Sequence, residues 1–131
     1  MTEFEAVKNA QRLYHMILAV QRIRRSLNGV TWEAFAANED KQGNVVRCFE
    51  IIGEAANHIT SELRDANPDI PWAGIIGMRN NLIHGYGEVN YRLVWQTVEN
   101  DLPVIEERLP QILGTLNLPK DFYPPELPTA K

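Results

Sequence analysis

The sequence predicts an all-α protein, an up-and-down helical bundle of four main helices with a proline-rich C-terminal tail. Apolar residues recur at intervals of three and four over long stretches, which is the spacing of one helix face. No stretch of six or more residues alternates apolar and polar side chains, so strands are not expected. At 131 residues the chain has room for one domain, with the bundle expected over residues 1–114 and the tail over residues 115–131.

The first predicted helix begins after Thr2, because Glu5 follows three positions later and completes a capping-box pattern. Apolar positions continue at helical spacing until Asn28 and Gly29, where the helix is expected to end. Thr31 is then placed to cap a short helical turn.

A second long helix is expected between Asn38 and Asn67. Its apolar positions follow a 4-3-4-3-4 rhythm: Val45, Phe49, Ile52, Ala56, Ile59 and Leu63. Gly53 and Ala56 are small, so they are expected to let another helix approach closely.

Pro71 suits the first turn of a third, short helix, which is predicted to end at Gly85 and Gly87. Asn90 is placed to cap the fourth helix. That helix carries another apolar stripe: Val94, Val98, Leu102, Ile105, Leu109 and Ile112.

Prolines shape the rest of the chain. Pro103 and Pro110 should bend the fourth helix, because each removes a backbone donor and crowds the preceding turn. Four prolines in ten positions from Pro119 predict an extended tail. Phe122 and Tyr123 could pin part of the tail to the body or to a partner, and a disordered end is the alternative.

Composition is that of a soluble globular protein, with 44% hydrophobic and 23% charged residues. No apolar run approaches the roughly 20 residues that span a bilayer, and the acidic start does not resemble a signal peptide, so a cytoplasmic protein without a membrane segment is expected. The single cysteine, Cys48, is interpreted as a small buried residue. A net charge of −4 argues against a protein that coats nucleic acid, although it allows a local site.

Basic residues cluster near the amino end. Residues 1–30 carry Lys8, Arg12, Arg22, Arg24 and Arg25. We interpret this cluster as a candidate surface for steering RNA, while a solvated charged helix face is the commoner meaning of such a pattern.

The most informative segment is residues 79–86, which contains Arg79, Asn80, His84 and Tyr86. A permanent cation, a group that titrates near neutrality and a phenol are suited to binding a phosphodiester and moving a proton at it. On an ideal helix Arg79 and His84 stand about 140° apart, too far to converge on one phosphate. Convergence needs a loosened helix end at Gly85 or a second copy of the chain, and we expect a homodimer.

The order of these residues, an arginine, a polar residue, three further positions, a histidine, any residue and a tyrosine, resembles the HepT-like branch of the HEPN superfamily. Residues 51–56, 70–78 and 94–103 add further matches. The resemblance implies a helical ribonuclease toxin of a toxin–antitoxin pair. It also implies Arg79 and His84 as catalytic residues and Tyr86 as a residue that assists at the site or receives AMP from a cognate nucleotidyltransferase antitoxin.

Other residues are open to two interpretations. Asn80 could orient His84 or bind the ribose, and Glu54 could hold Arg79 by a salt bridge or form a simple helix pair with His58. Arg79 and Tyr86 could instead form a structural stacking pair.

Two functions follow. The first is an endoribonuclease toxin that cleaves RNA. It is expected to be metal-independent, because the histidines show no zinc spacing, and to need no cofactor, because no cofactor motif is present. The second is a non-catalytic helical module of the same fold that binds a nucleotide or a protein. The intact set of residues in segment 79–86 favours the enzyme.

Overall fold

The all-α fold that the local sequence patterns predict is confirmed. The computed structural model describes residues 1–84 and 89–123, and of residues 83 and 84 only the backbone. Within these residues there are seven helices and no strand. In chain order the helices are α1 (Glu3–Leu27), α2 (Trp32–Ala36), α3 (Glu39–His58), α4 (Ser61–Ala66), α5 (Trp72–His84), α6 (Tyr91–Asn100) and α7 (Leu102–Gly114).

The capping signals are confirmed. The Thr2 hydroxyl accepts a hydrogen bond from the Glu5 amide at 3.1 Å, while the Thr2 amide donates to the Glu5 carboxylate at 3.0 Å. Gly29 follows α1 with a φ of 72°, a conformation that favours glycine, and Thr31 then caps α2. Asn90 caps α6 by accepting from the amide of Leu93 at 3.0 Å.

The second predicted helix is in fact two helices, so the prediction of one continuous helix was wrong. The break lies between α3 and α4, where the buried side chain of Asn9 on α1 reaches the backbone. Asn9 accepts from the Thr60 amide at 3.1 Å and donates to the Thr60 hydroxyl at 3.0 Å. Thr60 in turn caps α4. The Thr60 amide therefore donates to Asn9 in place of a helical hydrogen bond. The helical spacing of apolar residues nevertheless continues across the break at Ile59 and Leu63, which are both buried.

The fourth predicted helix is also divided. Helix α6 ends at Asn100, and α7 begins at Leu102, with Asp101 between them. Pro103 lies in the first turn of α7, where its missing amide would have had no helical partner. Pro103 therefore starts a helix where a bend was predicted, whereas Pro110 lies inside α7.

Helix α3 lies at the centre of the packing, between α1 and α5, while α7 packs against α1 and α6. The predicted apolar stripes face the core and are buried at Val45, Phe49, Ile52, Ala56, Val94, Val98, Leu102, Ile105, Leu109 and Ile112. Helices α1, α3 and α5 therefore lie next to one another in that order, so polar residues on their common outer surface can contact one another.

The three tryptophans lie in the hydrophobic core or pack against it. Trp72 is buried and donates its indole N–H to the carbonyl of Asn67 at 2.9 Å. The rings of Trp32 and Trp95 lie 6.1 Å apart, and both contact the buried ring of Phe35.

The tail contacts the body at Phe122, whose ring stacks on Tyr14 of α1 at 6.3 Å. This contact agrees with the expectation that Phe122 pins part of the tail. Residues beyond 123 lie outside the described part. None of the described helices is both long and apolar enough to cross a membrane.

We predict that Asn9→Ala lowers the free energy of unfolding by about 1–3 kcal/mol, because it leaves the Thr60 amide without its partner. Urea denaturation followed by circular dichroism measures the change. Gln11→Ala, at an exposed position of the same helix, is the control and should change stability little. Equal effects of the two substitutions would contradict this role of Asn9.

Candidate active site

Arg79 is positioned by the close approach of α5 to α3. Gly53 on α3 faces it, and a Cβ atom added at Gly53 would overlap the Cβ of Arg79 and lie 2.9 Å from its Cγ. The same Cβ would lie 3.0 Å from the backbone carbonyl oxygen of Ile75. Only glycine leaves room for α5 at this point, which confirms the expectation that Gly53 permits close helix approach.

The guanidinium of Arg79 is held on two sides. Its Nη2 lies 2.6 Å from Glu54 Oε2, and its Nη1 donates to the Asn80 side-chain oxygen at 3.2 Å. Nε is buried and has no hydrogen-bond partner among the described residues. The side chain remains 23% exposed, so a permanent cation with unused donors lies at the protein surface in a fixed orientation.

Glu54 connects Arg79 to His58. The second carboxylate oxygen, Oε1, lies 2.9 Å from His58 Nε2, so both interpretations of Glu54 left open by the sequence occur together. The hydrogen bond with His58 is the main cause that lowers the pKa of Glu54, and the charge of Arg79 lowers it further. A lowered folded pKa means that the ion pair is fully formed above the usual glutamate range and is lost as the pH falls through that lowered value. Because Glu54 is exposed, its role is to orient Arg79 more than to stabilise the fold.

A cleft of about 410 Å³ opens beside this cluster, between α1, α3 and α5. Its charged wall comprises Arg12 and His15 from α1, Arg47, Glu54 and His58 from α3, and Arg79 from α5. Glu50 completes the wall, and Ile51 and Ala55 add apolar surface. Three arginines and two glutamates leave the cleft with one positive charge in excess, on a protein whose net charge is −4.

The remaining residues of segment 79–86 are only partly described. The backbone stays helical from Arg79 through His84, so their Cα atoms stand about 140° apart around the axis. The side chain of His84 lies outside the described residues, as do Tyr86 and its flanking glycines. The structure therefore brings together Arg79, Asn80 and Glu54.

The basic cluster of the first helix was predicted to form one surface, whereas the structure divides it. Arg12 faces the cleft, but Arg22 and Arg25 are exposed outside it. Arg24 pairs with Glu106 of α7 at 3.2 Å, and Lys8 lies over the ring of Phe4 at 5.5 Å.

Two lining residues carry a weak sequence signal. Neither Arg47 nor His15 was predicted from the sequence as part of a functional site. Arg47, Glu54 and His58 lie at spacings of seven and four, which places them on one face of α3. This spacing is the signal that links Arg47 to Glu54.

Two other features bear on the chemistry. Burial raises the pKa of the Cys48 thiol, which suits the small buried residue predicted from sequence. Within the described ranges, no three histidine, cysteine or carboxylate side chains are grouped to hold a metal ion.

The helical fold and the arginine site belong to a known class of protein: the chain is a member of the HepT-like ribonuclease family. The family described as "Ribonuclease HepT-like" matches residues 16–112.

Curated relatives agree with this assignment. The chain is 35% identical to a candidate RNase, TTE0752, of Caldanaerobacter subterraneus subsp. tengcongensis, over 77% of this chain and 90% of the relative. It is 34% identical to a candidate RNase, MJ0125, of Methanocaldococcus jannaschii, over 79% and 90% of the two chains. It is 33% identical to the probable ribonuclease HepT of Thermococcus cleftensis, over 72% and 86%. No solved structure matches the chain significantly.

Gly53→Ala is predicted to lower the free energy of unfolding by about 1–3 kcal/mol, because the added methyl group must push α5 and Arg79 away from α3. Gly43→Ala in the same helix is the matched control, since a Cβ there meets nothing within 4 Å. The control should raise stability by up to about 1 kcal/mol, because alanine favours a helix. Urea unfolding of both variants decides, and a Gly53→Ala protein as stable as the control would refute the packing argument.

Proposed function

We propose that this protein is a metal-independent endoribonuclease toxin of a toxin–antitoxin pair, with Arg79 and His84 as its catalytic residues. Membership of the ribonuclease family supports RNA as the substrate. The observation that carries the proposal is the placement of Arg79, which is oriented by Glu54 and Asn80 and partly exposed at a cationic cleft.

RNA cleavage without a metal requires three things of these side chains. The 2′-hydroxyl must lose a proton and attack the adjacent phosphorus, and the leaving 5′-oxygen must gain a proton. The additional negative charge on the five-coordinate phosphorus must be met by a fixed cation. In the proposed mechanism His84 transfers a proton as base or acid, while Arg79 binds the phosphate and stabilises the transition state.

The proposed active form is a homodimer. Because α5 is helical through His84, the Cα atoms of Arg79 and His84 in one chain lie about 140° apart around the helix axis. Two copies of segment 79–86 facing across a two-fold axis would supply an arginine and a histidine to the same phosphate. The RNA would then bind at the junction of the two subunits.

Regulation is proposed to come from a cognate nucleotidyltransferase antitoxin in the cytoplasm. Tyr86 follows Arg79 by seven residues, close to two helical turns, and a glycine lies on either side of it in the sequence. AMP added to Tyr86 would place a phosphate near Arg79, where it would compete with RNA for the guanidinium.

Arg79→Ala and His84→Ala are each expected to reduce RNA cleavage by at least about 100-fold, since each removes a fixed charge or a proton-transfer group. Cleavage of a fluorescent RNA by the purified proteins measures this, with Arg25→Ala, an exposed arginine outside the cleft, as the control. Wild-type cleavage should persist in EDTA. A fully active His84→Ala protein would refute its catalytic role, and activity lost in EDTA but restored by one divalent ion would refute metal independence.

Co-expression with the partner nucleotidyltransferase should add one or more AMP groups to the wild-type chain and none to Tyr86→Phe. Intact-mass spectrometry measures the adduct, and RNA cleavage by the same samples measures inhibition. An unmodified chain that is nevertheless inhibited would show that the partner acts by steric binding, against the proposed modification.

A further inference from the structure

Two arginines of the cleft have no part in the chemistry proposed above. Arg12 forms no ion pair or side-chain hydrogen bond with the residues that the structure describes. Arg47 lies 3.4 Å from Glu50, and its side chain is 68% exposed, so this pair is weak. Arg79, by contrast, is held by Glu54 at 2.6 Å. The cleft therefore contains two cations that its own carboxylates do not hold in a tight ion pair.

Arg47 is well separated from the point where Arg79 meets Glu54. It precedes Glu54 by seven residues on the same helix, which is about 10 Å along the axis. Arg12 lines the cleft from α1, and its charge also acts on Glu54. A distance of about 10 Å is too long for one phosphate group, but it suits a second phosphate farther along the same strand.

We propose that the cleft is a second phosphate subsite for single-stranded RNA. In it, Arg12 and Arg47 bind a phosphate one or two nucleotides away from the phosphate that Arg79 holds. This proposal rests on the proposed ribonuclease function. It implies that the bound RNA strand extends from the active site along α3. Ile51 and Ala55 offer apolar surface for the intervening ribose or base. A volume of about 410 Å³ is that of a small-ligand site, which suits a short stretch of a single strand.

Substrate length provides a sharp test in cleavage assays. A dinucleoside monophosphate contains one phosphate and cannot use the second subsite, whereas a pentanucleotide can. Arg12→Ala and Arg47→Ala should raise KM for the pentanucleotide about tenfold each and leave cleavage of the dinucleoside monophosphate unchanged. The double substitution Arg12→Ala/Arg47→Ala should also reduce the slope of log KM against log salt by about 0.7, the value for one lost phosphate contact on a single strand.

Binding provides a second readout that does not need cleavage. The probe is a fluorescent 2′-O-methyl pentanucleotide, whose blocked hydroxyl cannot attack the phosphorus, and its affinity is measured by fluorescence anisotropy. The matched control is Arg25→Ala, which removes the same charge from an exposed position of α1 outside the cleft. Thermal unfolding of each variant checks that the fold is intact. The double variant Arg12→Ala/Arg47→Ala should bind the probe about 100-fold more weakly than the control.

The outcomes separate this proposal from the ribonuclease proposal. Wild-type protein that binds the probe through Arg12 and Arg47 but cuts no RNA would refute the nuclease and leave the subsite standing. Protein that cuts RNA but binds the probe equally well in the double variant and the control would refute the subsite alone. Failure of the wild type to bind the probe, or equal competition by an acidic peptide, would also overturn RNA as the occupant of the cleft.

Discussion

The contact between Gly53 and Arg79 is the constraint on which the rest of the site depends. Because no side chain lies on α3 at this point, α5 comes close enough for the Cβ of Arg79 to occupy the space of the missing methyl group. Glu54 is the next residue on α3, and it meets the guanidinium at 2.6 Å. A packing requirement thus places the carboxylate that orients the cation, and the hydrogen bond with His58 lowers the pKa of that carboxylate.

A second contact fixes the other wall of the cleft. Asn9 is bound to Thr60 at the junction of α3 and α4, and this holds α1 beside the carboxyl end of α3. Arg12 follows Asn9 by three residues, and His58 precedes Thr60 by two, so the same clamp brings both side chains to one surface. A protein with a negative net charge can in this way have a cleft with an excess of positive charge, because the local potential depends on where each charge lies.

Features that depend on neighbouring residues in the chain were predicted from the sequence. The caps at Thr2, Thr31 and Asn90 and the apolar stripes of the long helices are examples, since each rests on contacts within a few residues. The break at Thr60 was missed because its cause, Asn9, is 51 residues away. The pairing of Glu54 with Arg79 was one of two interpretations of the sequence, because it depends on how closely α5 approaches α3 at Gly53. Arg47 was missed because an exposed arginine on a helix usually has no function.

The central claim, that Arg79 as oriented by Glu54 binds the phosphate to be cleaved, is tested most directly by a crystal structure with bound RNA. The ligand is an oligonucleotide with a 2′-O-methyl group at the cleavage position. We expect a phosphate oxygen within hydrogen-bond distance of the Arg79 guanidinium, with Glu54 still bound to Nη2 and the His84 ring beside the same phosphate. RNA bound at another face, with no contact to Arg79, would show that Arg79 does not bind the phosphate to be cleaved.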